Sequence, residues 1–224
     1  MMKRDIFGLV VSAIFISVIL VSSKLIGESN KEASRKYIHI MLSNWWIIAI
    51  IFFDSVYFAI IGPLLFIVIN SISYKYNLIK TMERDESEKD GLGTVYYALT
   101  LFIMAILTFG VFPEYKGIYG PLIGLAGIAV MGYSDGFAAI VGRSVKSPSY
   151  KIGTTKKTLA GSITMLAITF IILSGFLLYV KVPYWYFKAA IISVIVTIIE
   201  AVSIKGTDNL TVPLATVGLL LLVI

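Results

Sequence analysis

Eight apolar stretches separated by short polar turns leave this chain few folds to choose from. They run from about Ile6 to Ile26, Tyr37 to Phe53, Val56 to Ile72, Thr94 to Phe112, Tyr119 to Val141, Leu159 to Val180, Tyr184 to Ile204 and Leu210 to Ile224. A helix of about 20 apolar residues crosses the roughly 30 Å hydrocarbon core while satisfying its own backbone. The last stretch would be only about 22 Å long and crosses least completely. The longest polar interval, Lys75 to Asp90, is too short to bury a core of its own. The expectation is one membrane-embedded domain over residues 1–224: an all-α, polytopic integral membrane helical bundle of about 7–8 transmembrane helices. The first stretch lacks a small-residue cleavage pattern and reads as a retained helix rather than a signal peptide.

Only Asp54 and Ser55 separate the second and third stretches. One helix through both would be about 54 Å long, nearly twice the hydrocarbon thickness, so the chain must turn at Asp54. With that turn, fourteen of the 19 Lys and Arg residues fall on one side of the membrane. The positive-inside rule then places the loops after the first, third, fifth and seventh helices in the cytoplasm, and both termini outside. The chain is 58% hydrophobic with a net charge of +6, and basic loops at a bilayer attract anionic lipid without implying nucleic acid. Absence of Cys excludes disulfides and thiol chemistry, and the single His39 excludes a multi-histidine metal centre. Tyr74, Tyr76, Tyr96, Tyr97 and Tyr184 to Tyr186 suit interfacial belts. Gly120 and Gly124 form a GxxxG pair that implies close helix packing.

Within the fifth stretch, Asp135 lies between the apolar runs Leu122 to Met131 and Phe137 to Val141. A carboxylate there costs about 2.5–3.5 kcal/mol at the centre of a span and marks a site or a pathway. Ala138, Ala139 and Gly142 follow at helical spacing, a strip small enough for a backbone or a phosphate to approach. Arg143 closes the strip, and Lys146, Lys151, Lys156 and Lys157 follow in a loop with Gly153, Thr154 and Thr155. Such a mixture of cations and pliable backbone suits a polyphosphate, although basic loops also gather beside any membrane span. On the same side, Arg35, Lys36 and His39 share helical spacing and can converge on one spot. Glu200 sits near the end of an apolar run, where a salt bridge to a neighbouring helix is the plain alternative to function. Asp208 and Asn209 open the last helix, where either can also serve as a cap. The mixed-charge loop carrying Glu83, Arg84, Asp85, Glu86 and Glu88 reads as solvated.

Three acids and several cations on one membrane face form an inventory suited to Mg²⁺, which binds through carboxylates and substrate phosphates. Phosphoryl or nucleotidyl transfer follows. A P-loop is absent, because Lys157 and Thr158 lack the preceding glycines, and neither HExxH nor GxSxG occurs.

These residues fall in a familiar pattern. Asp135-Gly-Phe-Ala-Ala-Ile-Val-Gly-Arg143 followed by Lys157-Thr-Leu-Ala-Gly-Ser162 resembles the DxxAxxxGR and KSxxGS signatures of the CTP-dependent polyprenol kinase family, which includes dolichol, phytol and CTP-using diacylglycerol kinases. Arg35-Lys-Tyr-Ile-His39 resembles the family's RKxxH, and Glu200 with Asp208-Asn-Leu-Thr-Val-Pro213 resembles its late acid and DNxxxP. Ser134 and Thr158 depart from the family's usual Gly and Ser. The resemblance implies transfer of the γ-phosphate of CTP to a lipid alcohol in the bilayer, with a polyprenol or dolichol ahead of phytol-type alcohols and diacylglycerol. It implies Asp135 and Asp208 as magnesium ligands and Glu200 as ligand or base, with His39 a rival base. Arg35, Lys36, Gly142, Arg143, Lys156, Lys157, Gly161, Ser162 and Asn209 would line the nucleotide phosphates. The alternatives are a cytidylyltransferase acting on a lipid phosphate, which shares a related acid and basic loop, and a small ion-coupled transporter.

Overall fold

A computed structural model describes residues 2–27, 31–76, 92–152, 155–204 and 206–224. The charged loop 77–91, Gly153, Thr154 and Lys205 lie outside the described residues. The helices are α1 (Met2–Gly27), α2 (Lys31–Ser43), α3 (Trp45–Phe52), α4 (Val56–Tyr76), α5 (Gly93–Ala105), α6 (Gly120–Ala129), α7 (Gly136–Ser144), α8 (Leu159–Tyr179), α9 (Trp185–Val202) and α10 (Asp208–Val223). A π-helical turn, Ile106–Val111, extends α5, and another, Val130–Asp135, joins α6 to α7 as one span. Among the described residues, six helical spans are long and apolar enough to cross a membrane, and α10, at 16 residues, is shorter. The protein is thus an all-α, polytopic membrane bundle.

α1 shows how a bilayer inverts ordinary amphipathicity. Its buried positions include Gly8, Ser12 and Ser23, whereas Phe7, Val10, Ile14, Val18, Val21 and Leu25 are exposed. Lipid is as apolar as a leucine side chain, so small residues that allow close backbone approach go inward and bulk goes outward. At the other extreme, the span Gly120–Ser144 is 67% buried, against 22% for α1 and α4. It forms the centre of the bundle and carries Asp135. The GxxxG pair packs as expected: a Cβ on Gly124 would stand 2.8 Å from Trp46, and one on Gly120 would meet the Thr108 carbonyl at 2.6 Å.

The turn at Asp54 is present and held by α1. Arg4 Nη1 donates to Asp54 Oδ1 at 3.0 Å, and the Asp54 amide donates to Asp5 Oδ1 at 2.9 Å. The second expected helix differs from its sequence reading, because it breaks at Asn44 into α2 and α3. The Asn44 side chain explains the break: its amide donates to the Ile40 and Met41 carbonyls, and Tyr133 Oη donates to its Oδ1 at 2.7 Å. Asn side chains compete in this way with helical backbone bonds. Two short antiparallel hairpins add to the helices: β1 (Glu114–Tyr115) with β2 (Ile118–Tyr119), and β3 (Ser149–Ile152) with β4 (Thr155–Thr158).

Candidate active site

Asp135 ends the π-helical turn between α6 and α7. Such turns insert an extra residue into a helix and commonly re-aim a side chain at functional sites. Two glycines let the turn sit against α2. A Cβ on Gly132 would collide with Ser43, and one on Gly136 with Ile40. The result brings Asp135 Oδ2 to 3.4 Å from Lys36 Nζ and 3.3 Å from His39 Nε2. His39 Nε2 also lies 3.0 Å from the Met131 carbonyl oxygen. Both neighbours are acceptors, so Nε2 carries the proton, and only Nδ1 of a neutral imidazole remains to accept one. Tyr97 fixes the other side, with its ring edge-on to His39 at 5.1 Å and its hydroxyl donating to the His39 carbonyl at 3.1 Å.

α9 and α10 complete the cluster. Glu200 is buried near the end of α9, and Asp208 opens α10 with its Oδ1 accepting from the Asn209 amide at 3.0 Å. Asp135, Glu200 and Asp208 each present an oxygen within 4.8 Å of the others. Lys157 reaches from β4 to form an ion pair with Glu200. Burial by itself lowers the pKa of Lys157, but the Glu200 carboxylate, with Asp208 and Asp135 behind it, raises it above the ordinary lysine value. The ammonium therefore stays charged. Three carboxylates this close repel strongly unless cations lie among them, and Lys36 and Lys157 supply two.

The donor set fits magnesium. All three groups offer hard oxygens, and at Mg–O distances of 2.0–2.1 Å two ligands of one ion stand at most about 4.2 Å apart. An inward shift of about 0.6 Å brings the widest observed spacing, 4.8 Å, to that limit.

The remaining expected residues divide between this cluster and neighbouring structure. Arg35 does not join Lys36 and His39 at Asp135; its Nε and Nη2 bind both oxygens of Glu32 at 2.9 and 2.7 Å. Arg143 Nη1 reaches the same Glu32 at 3.0 Å. Glu32 was not singled out in the sequence, although its i,i+3 spacing to Arg35 is a signal for pairing. The antiparallel β3–β4 hairpin separates the two lysines: Lys157 turns inward, while Lys156 is exposed on the opposite face, as strand alternation requires. Gly142 and Gly161 lie in the contact of α7 with α8, where a Cβ on Gly161 would stand 3.5 Å from the Gly142 Cα. Between them, Thr158 caps α8, accepting from the Gly161 amide at 3.2 Å and donating to the Gly142 carbonyl at 3.3 Å. Ser162 Oγ lies 2.5 Å from Tyr150 Oη. The Asn209 side-chain amide Nδ2 donates to the Gly93 carbonyl at 2.9 Å, tying α10 to α5 rather than reaching the acids.

Comparison with known proteins gives a consistent set of relatives. The chain is 31% identical over 210 residues to a probable chloroplastic phytol kinase 1 of Glycine max, covering 83% of this chain and 65% of that protein. It is 27% identical over 219 residues to the phytol kinase of Synechocystis, covering 91% and 85%, respectively. A probable chloroplastic phytol kinase of Zea mays is 28% identical over 216 residues, covering 83% of this chain and 65% of its own length. The chain thus spans just under two thirds of the length of the plant relatives. It matches no protein-family model and no solved structure. With the four motif matches in order along a bundle of apolar helices and relatives aligned over most of its length, the chain is similar to the phytol kinases and resembles the polyprenol and phytol kinase family.

Proposed function

We propose that this protein transfers the γ-phosphate of CTP to the hydroxyl of an isoprenoid alcohol held in the bilayer, releasing CDP and the alcohol monophosphate. The observation that carries this reading is the meeting of Asp135, Glu200 and Asp208 with Lys36 and Lys157 at one end of a membrane bundle. That end joins a lipid-borne hydroxyl to a water-soluble nucleotide. Similarity to phytol kinases favours phytol or a similar alcohol over dolichol as the acceptor. CTP as donor rests on the motif resemblance. The positive-inside count puts this end in the cytoplasm and both termini outside.

Asp135 and Asp208 would hold Mg²⁺, with Glu200 as a further ligand or as the base. The ion would neutralise charge on the β- and γ-phosphates and hold them in line with the attacking oxygen. Lys36 and Lys157 would bind the γ-phosphate oxygens as point charges, Lys157 turning to them from Glu200. The alcohol oxygen then forms its bond to the γ-phosphorus as the bond to the β,γ-bridging oxygen breaks. Its proton passes to Glu200, freed from Lys157, and CDP leaves with the bonding pair. His39, with its proton on Nε2, orients Asp135 in this scheme. Arg35 and Arg143, gathered on Glu32, stand ready for the outer phosphates of the nucleotide.

Product analysis tests the reaction. Purified protein in lipid with Mg²⁺, CTP and phytol should release CDP in step with phytyl monophosphate. Pyrophosphate release on a lipid phosphate, with no CDP from any alcohol, would instead establish a cytidylyltransferase.

A further inference from the structure

From Gly136 to Ile199 the chain carries no acidic residue, and five cations crowd into the short segment between Gly142 and Leu159. Two of the five have carboxylate partners: Arg143 pairs with Glu32 and Lys157 with Glu200. Lys146, Lys151 and Lys156 are exposed and, among the described residues, pair with no carboxylate. The β3–β4 hairpin sorts its charges by face. Tyr150 and Lys157 stand opposite each other on the side turned to the site, where Tyr150 Oη meets Ser162 Oγ. Lys151 and Lys156 stand opposite each other on the far side. Like charges that face each other across neighbouring strands repel. With no acid in the segment to separate them, an anion from outside the chain would relieve the pair.

The lipid boundary lies close to this face. Ile140 and Val145 on the α7 side, with Leu159 and Ile163 at the start of α8, are exposed apolar residues that bracket the hairpin. In a membrane bundle such outward bulk meets acyl chains. Lys146 follows Val145 directly, and Lys156 precedes Leu159 by three residues, at most about 11 Å of extended chain. That span is comparable to the Debye length of about 8 Å at physiological salt, and a lysine stem can snorkel back toward the bilayer surface.

We propose that the outward pair Lys151 and Lys156, with Lys146 in the linker from α7, forms a docking surface for anionic phospholipid headgroups. The occupant is a lipid phosphate rather than the nucleotide, because the strand alternation that sends Lys157 to Glu200 sends Lys151 and Lys156 outward. A headgroup phosphate bound there cancels the repulsion across the lysine pair and steadies the hairpin that carries Lys157. This surface stands on charge and placement alone and does not depend on the phosphotransfer reading.

Lipid selection by the full chain tests the assignment. Protein in nanodiscs of phosphatidylcholine with a minor share of phosphatidylglycerol is extracted into mild detergent, and the lipids that stay bound are counted by mass spectrometry. A lysine beside an anionic surface contributes about fivefold in affinity. Lys151→Gln combined with Lys156→Gln should therefore cut the bound ratio of phosphatidylglycerol to phosphatidylcholine by about tenfold or more. The same change at Lys116 and Lys181, exposed at the opposite end of the bundle, should leave the ratio within about twofold. Equal losses in two double variants that keep the wild-type unfolding temperature, or no loss in the first, would overturn the proposal. A second measurement needs no variant: excess CTP should leave phosphatidylglycerol bound to the wild-type protein. Displacement by CTP, but not by sodium chloride of equal ionic strength, would give this face to the nucleotide and overturn the proposal. Selection of phosphatidylglycerol by a protein that transfers phosphate to no alcohol would retain the docking surface and remove the kinase reading.

Discussion

Asp135→Asn separates chemistry from folding more cleanly than any other change in this site. The substitution keeps the side-chain shape and removes one charge. At an effective dielectric of about 20, the attraction between Asp135 and Lys36 across 3.4 Å is about 5 kcal/mol, and repulsion from each carboxylate, no more than 4.8 Å away, is at least about 3.5 kcal/mol. One large attraction is lost while two repulsions are relieved, so the apo fold stays near balance. Asp135→Asn should therefore insert in the membrane and melt within a few degrees of the wild type. Activity has no such compensation in the proposed reaction, because the lost oxygen charge would face a magnesium ion and a triphosphate in its transition state. The expected loss in kcat is at least about 10²-fold, the lower end for removing one preorganised group from a charged transition state. The assay is initial-rate transfer of label from CTP to phytol at saturating Mg²⁺, with thermal unfolding measured on the same sample. A stable variant that retains a tenth of wild-type kcat would refute this reasoning and remove Asp135 from the chemistry.

Other outcomes follow from particular contacts. Lys157→Met should cost at least about tenfold more in kcat/KM than Lys156→Met, because only Lys157 reaches the acids; equal losses would point to a general basic surface. Thr158→Ala should destabilise the protein by about 1 kcal/mol through loss of the α8 cap while Thr158→Ser restores it, read as the shift in unfolding temperature. Gly142→Ala should lower that temperature, since its Cβ would stand 2.7 Å from Thr158 Oγ1, whereas Gly175→Ala, with nothing within 4 Å, should not. Glu32 adds an acid-sensitive element. Burial raises its pKa, but Arg35, then Arg143 and Lys36, hold it below the usual glutamate value. A depressed carboxylate pKa contributes stability above the unfolded value of about 4.3 and loses it as pH falls through the lower folded value. Unfolding temperature followed from pH 6 to 3 should therefore fall less steeply in Glu32→Gln than in the wild type; parallel curves would show that Glu32 contributes no such element.

The sequence made the helices legible because each span must satisfy its backbone alone and carry an apolar surface toward lipid. The turn at Asp54 followed from length alone, with no knowledge that Asp5 would receive its amide. What stayed hidden depends on contacts between distant segments. Nothing in Val130 to Asp135 announces a π-helical turn, since its cause is the fit of Gly132 and Gly136 against α2. The break at Asn44 has a local signal in the residue itself, but Tyr133 helps hold it from elsewhere in the chain. Strands of two to four residues are too short to show an alternating pattern. At the candidate site, spacing put Lys36 and His39 on one face of α2, and the motif resemblance joined them to Asp135. They did not reveal that neighbouring Arg35 turns to Glu32, because that choice depends on a carboxylate in a segment read only as a polar turn. Tyr97, read as a belt aromatic, is instead buried against His39.

Transfer of the γ-phosphate itself tests the central claim most directly. The wild-type protein, in nanodiscs with Mg²⁺ and CTP labelled at the γ-phosphorus, should place the label on phytol as phytyl monophosphate and stop when the divalent ion is chelated. Label that reaches no alcohol, or that reaches phytol undiminished after chelation, would contradict a metal-assisted lipid kinase built on Asp135, Glu200 and Asp208.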